Sequence, residues 1–261
     1  MRTVTAFFQP TELGLVPHAD ARGPWAEDMM HGRLLAGLAA WAVEREHGDP
    51  SFVPARLTVD LYRSPKMEPA GVTTTVVRAG GRVRAVDAKV TVGGVDVARA
   101  STLWLKRSDP PADDAPHTAA WDAPDPDTCP VQFGGAFEVR AVDGQGFGAL
   151  GPRRTWLRDT WSLVDGEPMT PFVRAALAAD FASPLANSAS RGLDYINADL
   201  SLHLGRLPDG EWIGLEVADR VAADGMSVAY ARFHDQLGPI GWSTVCAVVN
   251  PRMTPTGPPS T

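Results

Sequence analysis

The strongest constraint on the fold is that the chain repeats one order of elements on either side of a segment with linker composition. Residues 108–130 are rich in proline, aspartate and alanine and follow neither a helical nor a strand period, which is typical of a linker. Each flank contains an apolar helix followed by four strand-like runs. Such a repeat indicates an internal duplication. We therefore predict two domains, residues 1–107 and 131–261, joined by the linker 108–130.

In the first half, the predicted helix spans residues 30–44, because Leu34, Leu38 and Trp41 recur at helical spacing. Asp28 stands just before this helix and is the expected N-cap. Most of the circumference is apolar, so we expect the helix to be buried. Four runs with strand composition follow, at residues 55–63, 71–79, 82–92 and 95–106.

In the second half, the predicted helix spans residues 171–181, with Thr170 as its N-cap and Pro171 at its first position. A strongly bent antiparallel sheet that closes over one helix fits both halves, because the helix and the inner face of the sheet bury each other. The predicted fold class is α+β. The predicted strands lie at residues 132–139, 153–161, 193–204, 212–221, 226–235 and 241–249.

Composition and charge exclude several classes of function. The formal net charge is −7 and the basic residues are scattered, so we expect no nucleic-acid partner. No apolar run has the length of a signal peptide or a membrane span, which favours a cytoplasmic protein. Cys129 and Cys246 lie far apart without a histidine cluster, so neither a disulfide nor a metal site is predicted. The glycines of residues 146–151 precede a strand rather than a helix, and no cofactor is expected.

One acidic residue stands out on the second helix. Val173, Leu177 and Asp180 follow each other at steps of four and three residues, so they share a helix face that is otherwise apolar. Burying a carboxylate is costly unless it finds hydrogen-bond partners or serves a site. Two interpretations follow: Asp180 belongs to a functional site, or it reaches solvent at the helix end and supports a turn at residues 182–184.

Several segments, taken in order along nearly the whole chain, resemble one known family. They are residues 23–25 (GPW), 31–35 (HGRLL), 156–158 (WLR), 177–180 (LAAD), 195–200 (YINADL), 211–214 (EWIG) and 235–241 (DQLGPIG). The chain resembles the double-hotdog acyl-CoA thioesterases of the acyl-CoA thioesterase II type, and specifically their shorter actinobacterial relatives. The resemblance implies a tandem hotdog, with one domain in residues 1–107 and the other in 131–261, and an acyl-CoA or other acyl thioester as the substrate.

The resemblance also implies a set of catalytic residues. In the family, an aspartate on the second helix, a threonine or asparagine on the next strand and a glutamine on the last strand hold a water against the thioester carbonyl. Asp180 and Asn197 match the first two positions. Cys246 stands where the glutamine is expected, and cysteine is only a weak hydrogen-bonding group. Cys246 is otherwise interpreted as a small buried hydrophobe on a strand.

The start of the first helix is the predicted substrate-binding region. Backbone amides there have no intrahelical partner and could stabilise an oxyanion, and Gly32 would let a substrate approach closely. His31 belongs to the same region or points into water. Arg33 contacts a phosphate or carboxylate of the ligand, or is a solvated helix residue. We therefore expect one cleft that lies between the two halves.

Two functions from different classes remain open. The first is an acyl-CoA thioester hydrolase in which Asp180 activates a water. The second is a non-catalytic acyl or acyl-CoA binding protein with a degenerate site, motivated by Cys246. A hotdog hydratase is a third option, but its characteristic Asp-x-x-x-x-His loop is not evident. Uncovered sheet faces and edges tend to associate, so a homodimer is also compatible with the sequence.

Overall fold

The computed structural model describes residues 5–109, 112, 115–190 and 192–250. Residues 110, 111, 113 and 114 of the predicted linker and residues 251–261 of the predicted second domain lie outside the described residues. Within the described part, no helix is long and apolar enough to span a membrane.

The described residues of the first half form one long helix and six strands: β1 (Ala6–Thr11), β2 (Gly14–Pro17), α1 (Arg33–His47), β3 (Phe52–Leu61), β4 (Ala70–Ala79), β5 (Val83–Val92) and β6 (Val95–Lys106). The second half has two consecutive helices and ten strands among its described residues. They are β7 (Val131–Phe133), β8 (Phe137–Ala141), β9 (Arg154–Asp159), β10 (Ser162–Val164), α2 (Pro171–Ala179), α3 (Ala182–Asn187), β11 (Ser188–Ala189), β12 (Gly192–Leu193), β13 (Tyr195–Leu204), β14 (Ile213–Ala223), β15 (Met226–Asp235) and β16 (Gly238–Val249).

One continuous sheet joins the two halves. Its central strands follow the order β4, β5, β6, β3, β13, β16, β15 and β14, so the four strands of one half mirror those of the other. At the junction, β3 and β13 pair antiparallel, with Val59 opposite Leu200. The order begins with β10 and ends with β9, β8 and β7, although only Thr160 and Trp161 separate β9 from β10 in the chain. The sheet therefore curls until its two ends approach each other.

Helices α1 and α2 lie inside this curled sheet and pack against each other. They run antiparallel, because Gly32 lies beside Asp180 at one end of the pair and Glu44 meets Thr170 at the other. At their crossing, a Cβ atom on Gly37 would lie 2.6 Å from Leu177 Cδ2. The glycine thus allows a closer approach of the two helices than any other residue would.

The strands of the central sheet agree with the predicted runs to within a few residues, whereas the predicted start of the first helix is wrong. Helix α1 begins at Arg33, and its N-cap is Gly32 rather than Asp28. Bridges from Met29 to Lys66 and from Met30 to Arg22 hold the preceding backbone extended, so the helix cannot start earlier. Asp28 lies outside it, in an exposed ion pair with Lys66.

The predicted second helix begins as expected and ends differently. The Thr170 hydroxyl accepts a hydrogen bond from the Val173 amide at 3.2 Å, which confirms its role as N-cap. Helix α2 ends at Ala179 with Asp180 as its C-cap, and α3 begins two residues later, where a turn was predicted. Pro184 is tolerated in the first turn of α3, because amides there have no partner within the helix.

Candidate functional site

A partly open cavity of about 1100 Å³ is lined by residues of both halves. Its wall is formed by the residues that precede α1, the junction between α2 and α3, the start of β13 and the segments around β8. Most of the exposed wall is apolar. His31, Gly32, Asp180 and Asn197 all line it, so the structure brings together four of the residues predicted for the site.

Asp180 is buried at the inner end of the cavity. The residue is 5% exposed, so it does not reach bulk solvent at the helix end. Asn197 Nδ2 donates a hydrogen bond to Asp180 Oδ1 at 2.6 Å. Burial raises the pKa of the Asp180 carboxyl above its ordinary value, although the Asn197 hydrogen bond and the Arg33 charge oppose that shift. The result is a carboxylate with the strengthened basicity that suits a general base.

The start of α1 lies directly opposite this carboxylate. A Cβ atom on Gly32 would lie 3.6 Å from Asp180 Oδ2, so the glycine leaves the space beside the acid open. The first amides of an α-helix lack intrahelical partners. Among the described residues, no acceptor contacts the amides of Gly32 or Arg33. An acid from one half therefore faces donor groups from the other.

His31 packs into an aromatic wall of the cavity. Its ring lies 5.7 Å from Phe181 and 6.3 Å from Phe137, measured between ring centroids. Burial, assisted by the Arg33 charge, lowers the pKa of His31 to about 3, so the imidazole is neutral at neutral pH. Its Nδ1 atom is buried and has no hydrogen-bond partner in the part of the chain that the structure describes. His31 thus faces the cavity and does not point into water.

Arg33 lies behind the site, and the structure does not bring it to the cavity wall. Its side chain is 1% exposed, and Arg33 Nη2 donates to Asp159 Oδ1 at 2.5 Å. The guanidinium also packs against the rings of Phe7, Phe137 and Phe181 at 4.7 to 5.2 Å. The prediction of a solvated helix residue is wrong, because α1 turns this position into the core. Asp159 already supplies the negative charge that was expected from a ligand.

Cys246 lies on the outer face of β16 and is exposed, so it is not near Asp180. Side chains alternate along the strand, and Val245 and Ala247 on either side of it are buried. The Cys246 amide donates to Asp199 Oδ1 at 2.6 Å. The structure therefore places Cys246 outside the predicted catalytic cluster, and the interpretation as a buried hydrophobe is also wrong. In register, Ala247 is the residue opposite Asn197.

Several residues of the cavity wall were not predicted from the sequence. Phe181 packs edge to face with Phe137 and Phe147, at centroid distances of 5.3 and 6.2 Å. Ser183 lines the cavity, is 1% exposed, and its amide donates to the Asp180 carbonyl at 3.2 Å. These residues gather around Asp180 because α3 follows it directly and β8 folds over it. No spacing rule in the sequence marks them.

Two family models match the chain and together span most of it. The model of the acyl-CoA thioesterase N-terminal domain matches residues 21–105, and that of the acyl-CoA thioesterase C-terminal domain matches residues 107–249. The site and the fold thus define a thioesterase-type protein built from two related halves. The chain belongs to the acyl-CoA thioesterase family, which supports acyl-CoA thioesterase activity in general. No curated protein matches its sequence.

Solved structures with the same architecture have low sequence identity. A hot dog fold protein of unknown function from Alicyclobacillus acidocaldarius is 14% identical and aligns with a TM-score of 0.71 over 90% of this chain and 91% of its own. A putative thioesterase from Novosphingobium aromaticivorans is 19% identical, with a TM-score of 0.67 over 85% and 88%. The tesB protein of Mycobacterium avium subs paratuberculosis is 15% identical, with a TM-score of 0.66 over 88% and 91%. The hot dog fold is therefore shared.

Proposed function

We propose that the protein hydrolyses acyl-CoA thioesters in the cavity between two hotdog units, with Asp180 as the base that activates water. One observation carries this proposal: the buried carboxylate of Asp180 faces the open start of α1 across the space beside Gly32. Thioester hydrolysis needs a base and donors aimed at the developing oxyanion. This position offers both within one cavity.

In the proposed reaction, a water lies between Asp180 and Asn197. Asn197 Nδ2 donates its hydrogen bond to Asp180. Asn197 Oδ1 is buried and without a partner among the described residues, so it can accept a hydrogen bond from that water. Water oxygen attacks the thioester carbonyl while Asp180 takes the proton. The amides of Gly32 and Arg33 stabilise the oxyanion at the positive end of the helix. The C–S bond then breaks, and the thiolate takes the proton back from Asp180.

The cavity wall fits the acyl part of such a substrate. The cavity volume of about 1100 Å³ is slightly above the upper end, about 1000 Å³, of the usual range for small-molecule sites, which are mostly apolar with a few placed polar groups. Phe137, Phe147 and Phe181 form an apolar surface beside Asp180. An acyl chain can pack there while its thioester carbonyl carbon lies next to the water that Asp180 activates.

A non-catalytic acyl-binding protein is the second candidate function. The inner face of β16 favours this candidate. Its buried residues Ser243, Val245 and Ala247 have no side-chain amide, such as that of glutamine, to hold a water. Hydrolysis remains the better proposal, since the acid, its asparagine partner and the helix start are all in place.

Thiol release from a panel of acyl-CoA esters separates the two functions. The purified protein should release CoA from at least one ester, and Asp180→Ala should abolish that release. Binding of acyl-CoA without any release by the wild type would support the non-catalytic candidate, and turnover that survives Asp180→Ala would contradict the mechanism.

A further inference from the structure

A second, smaller cleft of about 380 Å³ adjoins the main cavity. The two share Ser188, Ala189 and Tyr195 in their walls, so one extended ligand can occupy both. The character of the second cleft is different, because about half of its exposed wall is polar. Among the described residues that line it, the charged ones are Arg153, Arg220 and Asp194.

Arg153 is held at the inner end of this cleft by backbone carbonyls. Its Nη1 donates to the carbonyls of Leu185 and Ala186, each at 2.8 Å, and lies 3.4 Å from Ser188 Oγ. These groups orient the guanidinium but carry no full negative charge. Among the described residues, no carboxylate pairs with Arg153. Its Nε and Nη2 atoms have no hydrogen-bond partner in the described part of the chain, and Arg153 lines the cleft, so these donors are available to a ligand.

Arg220 enters the same cleft from β14. Its Nε donates to Asn187 Oδ1 at 2.8 Å, and its guanidinium lies 5.4 Å from the Tyr195 ring centroid. Within the described chain, no carboxylate side chain pairs with it either. The two cations are close enough that the Arg220 charge, together with burial, lowers the pKa of Arg153. Two like charges held together in this way favour an anion between them.

We propose that the cleft of Arg153 and Arg220 binds a phosphate group, and that this group belongs to the CoA part of the thioester. This assignment rests on the proposed function, because the cleft would bind the CoA part of the same substrate whose acyl part lies in the main cavity. Arginine guanidinium groups match the geometry of phosphate oxygens. α3 leads from Asp180 to the cleft, and six residues of helix span about 9 Å. The pantetheine arm separates the phosphates of CoA from its thioester and is long enough to cover such an offset.

The test compares a substrate that has phosphates with one that lacks them. The acyl group is the same in an acyl-CoA and in the corresponding acyl-pantetheine, so both share the reaction at Asp180. In Arg220→Gln, the KM for acyl-CoA should rise about tenfold, the effect of losing one charge-assisted contact. The KM for acyl-pantetheine should be unchanged. Arg153→Gln should act in the same direction. Equal changes for both substrates, or no change, would overturn the proposal.

Two further variants locate the effect. Arg82→Gln makes the same charge change at the distant turn between β4 and β5 and should leave both KM values unchanged. Arg63→Gln removes a cation from the first-half wall of the main cavity. If Arg63→Gln raises the KM for acyl-CoA more than Arg220→Gln does, the phosphate lies at the other wall and the assignment is wrong.

A direct measurement of CoA binding tests the phosphate site independently of whether the protein hydrolyses acyl-CoA. Calorimetric titration with CoA should give a Kd that weakens about tenfold in Arg220→Gln and with added salt. Such a result supports the phosphate site even if the wild type releases no thiol from any ester, an outcome that overturns hydrolysis alone. Binding of inorganic phosphate with CoA affinity unaffected by Arg220→Gln would show a free-anion site and overturn the assignment to CoA.

Discussion

The two ends of the α1 and α2 pair are built from corresponding parts but have different surroundings. At one end, the start of α1 meets the end of α2, and Asp180 faces Gly32 and the cavity. At the other end, the end of α1 meets the start of α2, and Glu44 accepts a hydrogen bond from Thr170, the residue that caps α2. Burial raises the pKa of both carboxyls. An acid near a helix start is therefore present twice, and it is Asp180 that lines the large cavity.

Amide substitutions should separate the two ends most strongly. Asp180→Asn should lower kcat by roughly 10² to 10⁴, the usual contribution of a general base, because an amide cannot take a proton from water. Glu44→Gln removes an acid of the other end and should leave kcat within about twofold, since the Thr170 hydroxyl can still find an oxygen acceptor. Steady-state thiol release measures both. A large loss of kcat in Glu44→Gln would contradict the claim that only the Asp180 end contributes to catalysis.

Arg33 supports the Asp180 end from behind and should affect stability strongly. Arg33→Met leaves Asp159 buried without its partner, which costs about 3–5 kcal/mol of unfolding free energy in comparable buried pairs. Urea denaturation at pH 7 measures the change. Arg99→Met breaks an exposed pair with Asp60 and serves as the control, with a much smaller shift of the midpoint. Equal shifts for the two variants would contradict the assigned role of Arg33.

The pH dependence of hydrolysis should report the acid at this end. Asp180 is active when ionised and its pKa is raised above 3.8, so kcat/KM should fall as the pH drops through that raised pKa. Below it, the rate should decrease about tenfold per pH unit. Removal of the Arg33 charge eliminates an interaction that lowers the pKa, so the acidic limb in Arg33→Met should move to higher pH. A limb that moves to lower pH would contradict the proposed electrostatics.

The crossing of the helix pair should tolerate little change. A methyl group at Gly37 would meet Leu177 at 2.6 Å, so Gly37→Ala forces the helices apart and should cost about 1–3 kcal/mol. Thermal and urea unfolding measure this loss. Gly81→Ala lies where a Cβ meets nothing within 4 Å and should be nearly neutral. A neutral Gly37→Ala would contradict this prediction and show that the Leu177 side chain can make room for the methyl group.

The smallest effect is expected at Cys246. Cys246→Gln introduces the amide that the family resemblance predicts there, but the side chain points to the outer face of β16. Hydrolysis should therefore change by less than about twofold, since surface substitutions are usually mild. Ala247→Gln places the amide on the inner face, opposite Asn197, and should change turnover markedly. A gain of activity in Cys246→Gln would show that the strand reaches the site in another register.

The sequence predicted those parts of the site that depend on local periodicity. The helical spacing of Val173, Leu177 and Asp180 correctly put the acid on a buried face, and it is buried. The Thr170 cap followed from local chemistry in the same way. His31 and Gly32, which directly precede α1, were expected at the cleft because amides at a helix start lack intrahelical partners. Such features need no knowledge of distant contacts.

Features that depend on partners far along the chain were not predicted. Asp159, which neutralises Arg33, is 126 residues away in sequence. The orientation of Cys246 depends on strand register, in which a shift of one residue exchanges the two faces of a strand. Strands β1 and β2 were missed because they are short and become ordered by pairing with β10 and β4. The linker boundaries and the roles of the site residues remain predictions.

The seam between β3 and β13 has a consequence for how the chain unfolds. The strands exchange backbone hydrogen bonds from Asp60 and Asp199 through Arg56 and His203, so neither half can leave without exposing an unsatisfied edge. The halves should melt in one cooperative transition, as a single thermodynamic unit rather than as two independent folding domains. A fragment cut at the linker would expose an unpaired edge strand. We expect such a fragment to aggregate or to pair with the other half when it is added.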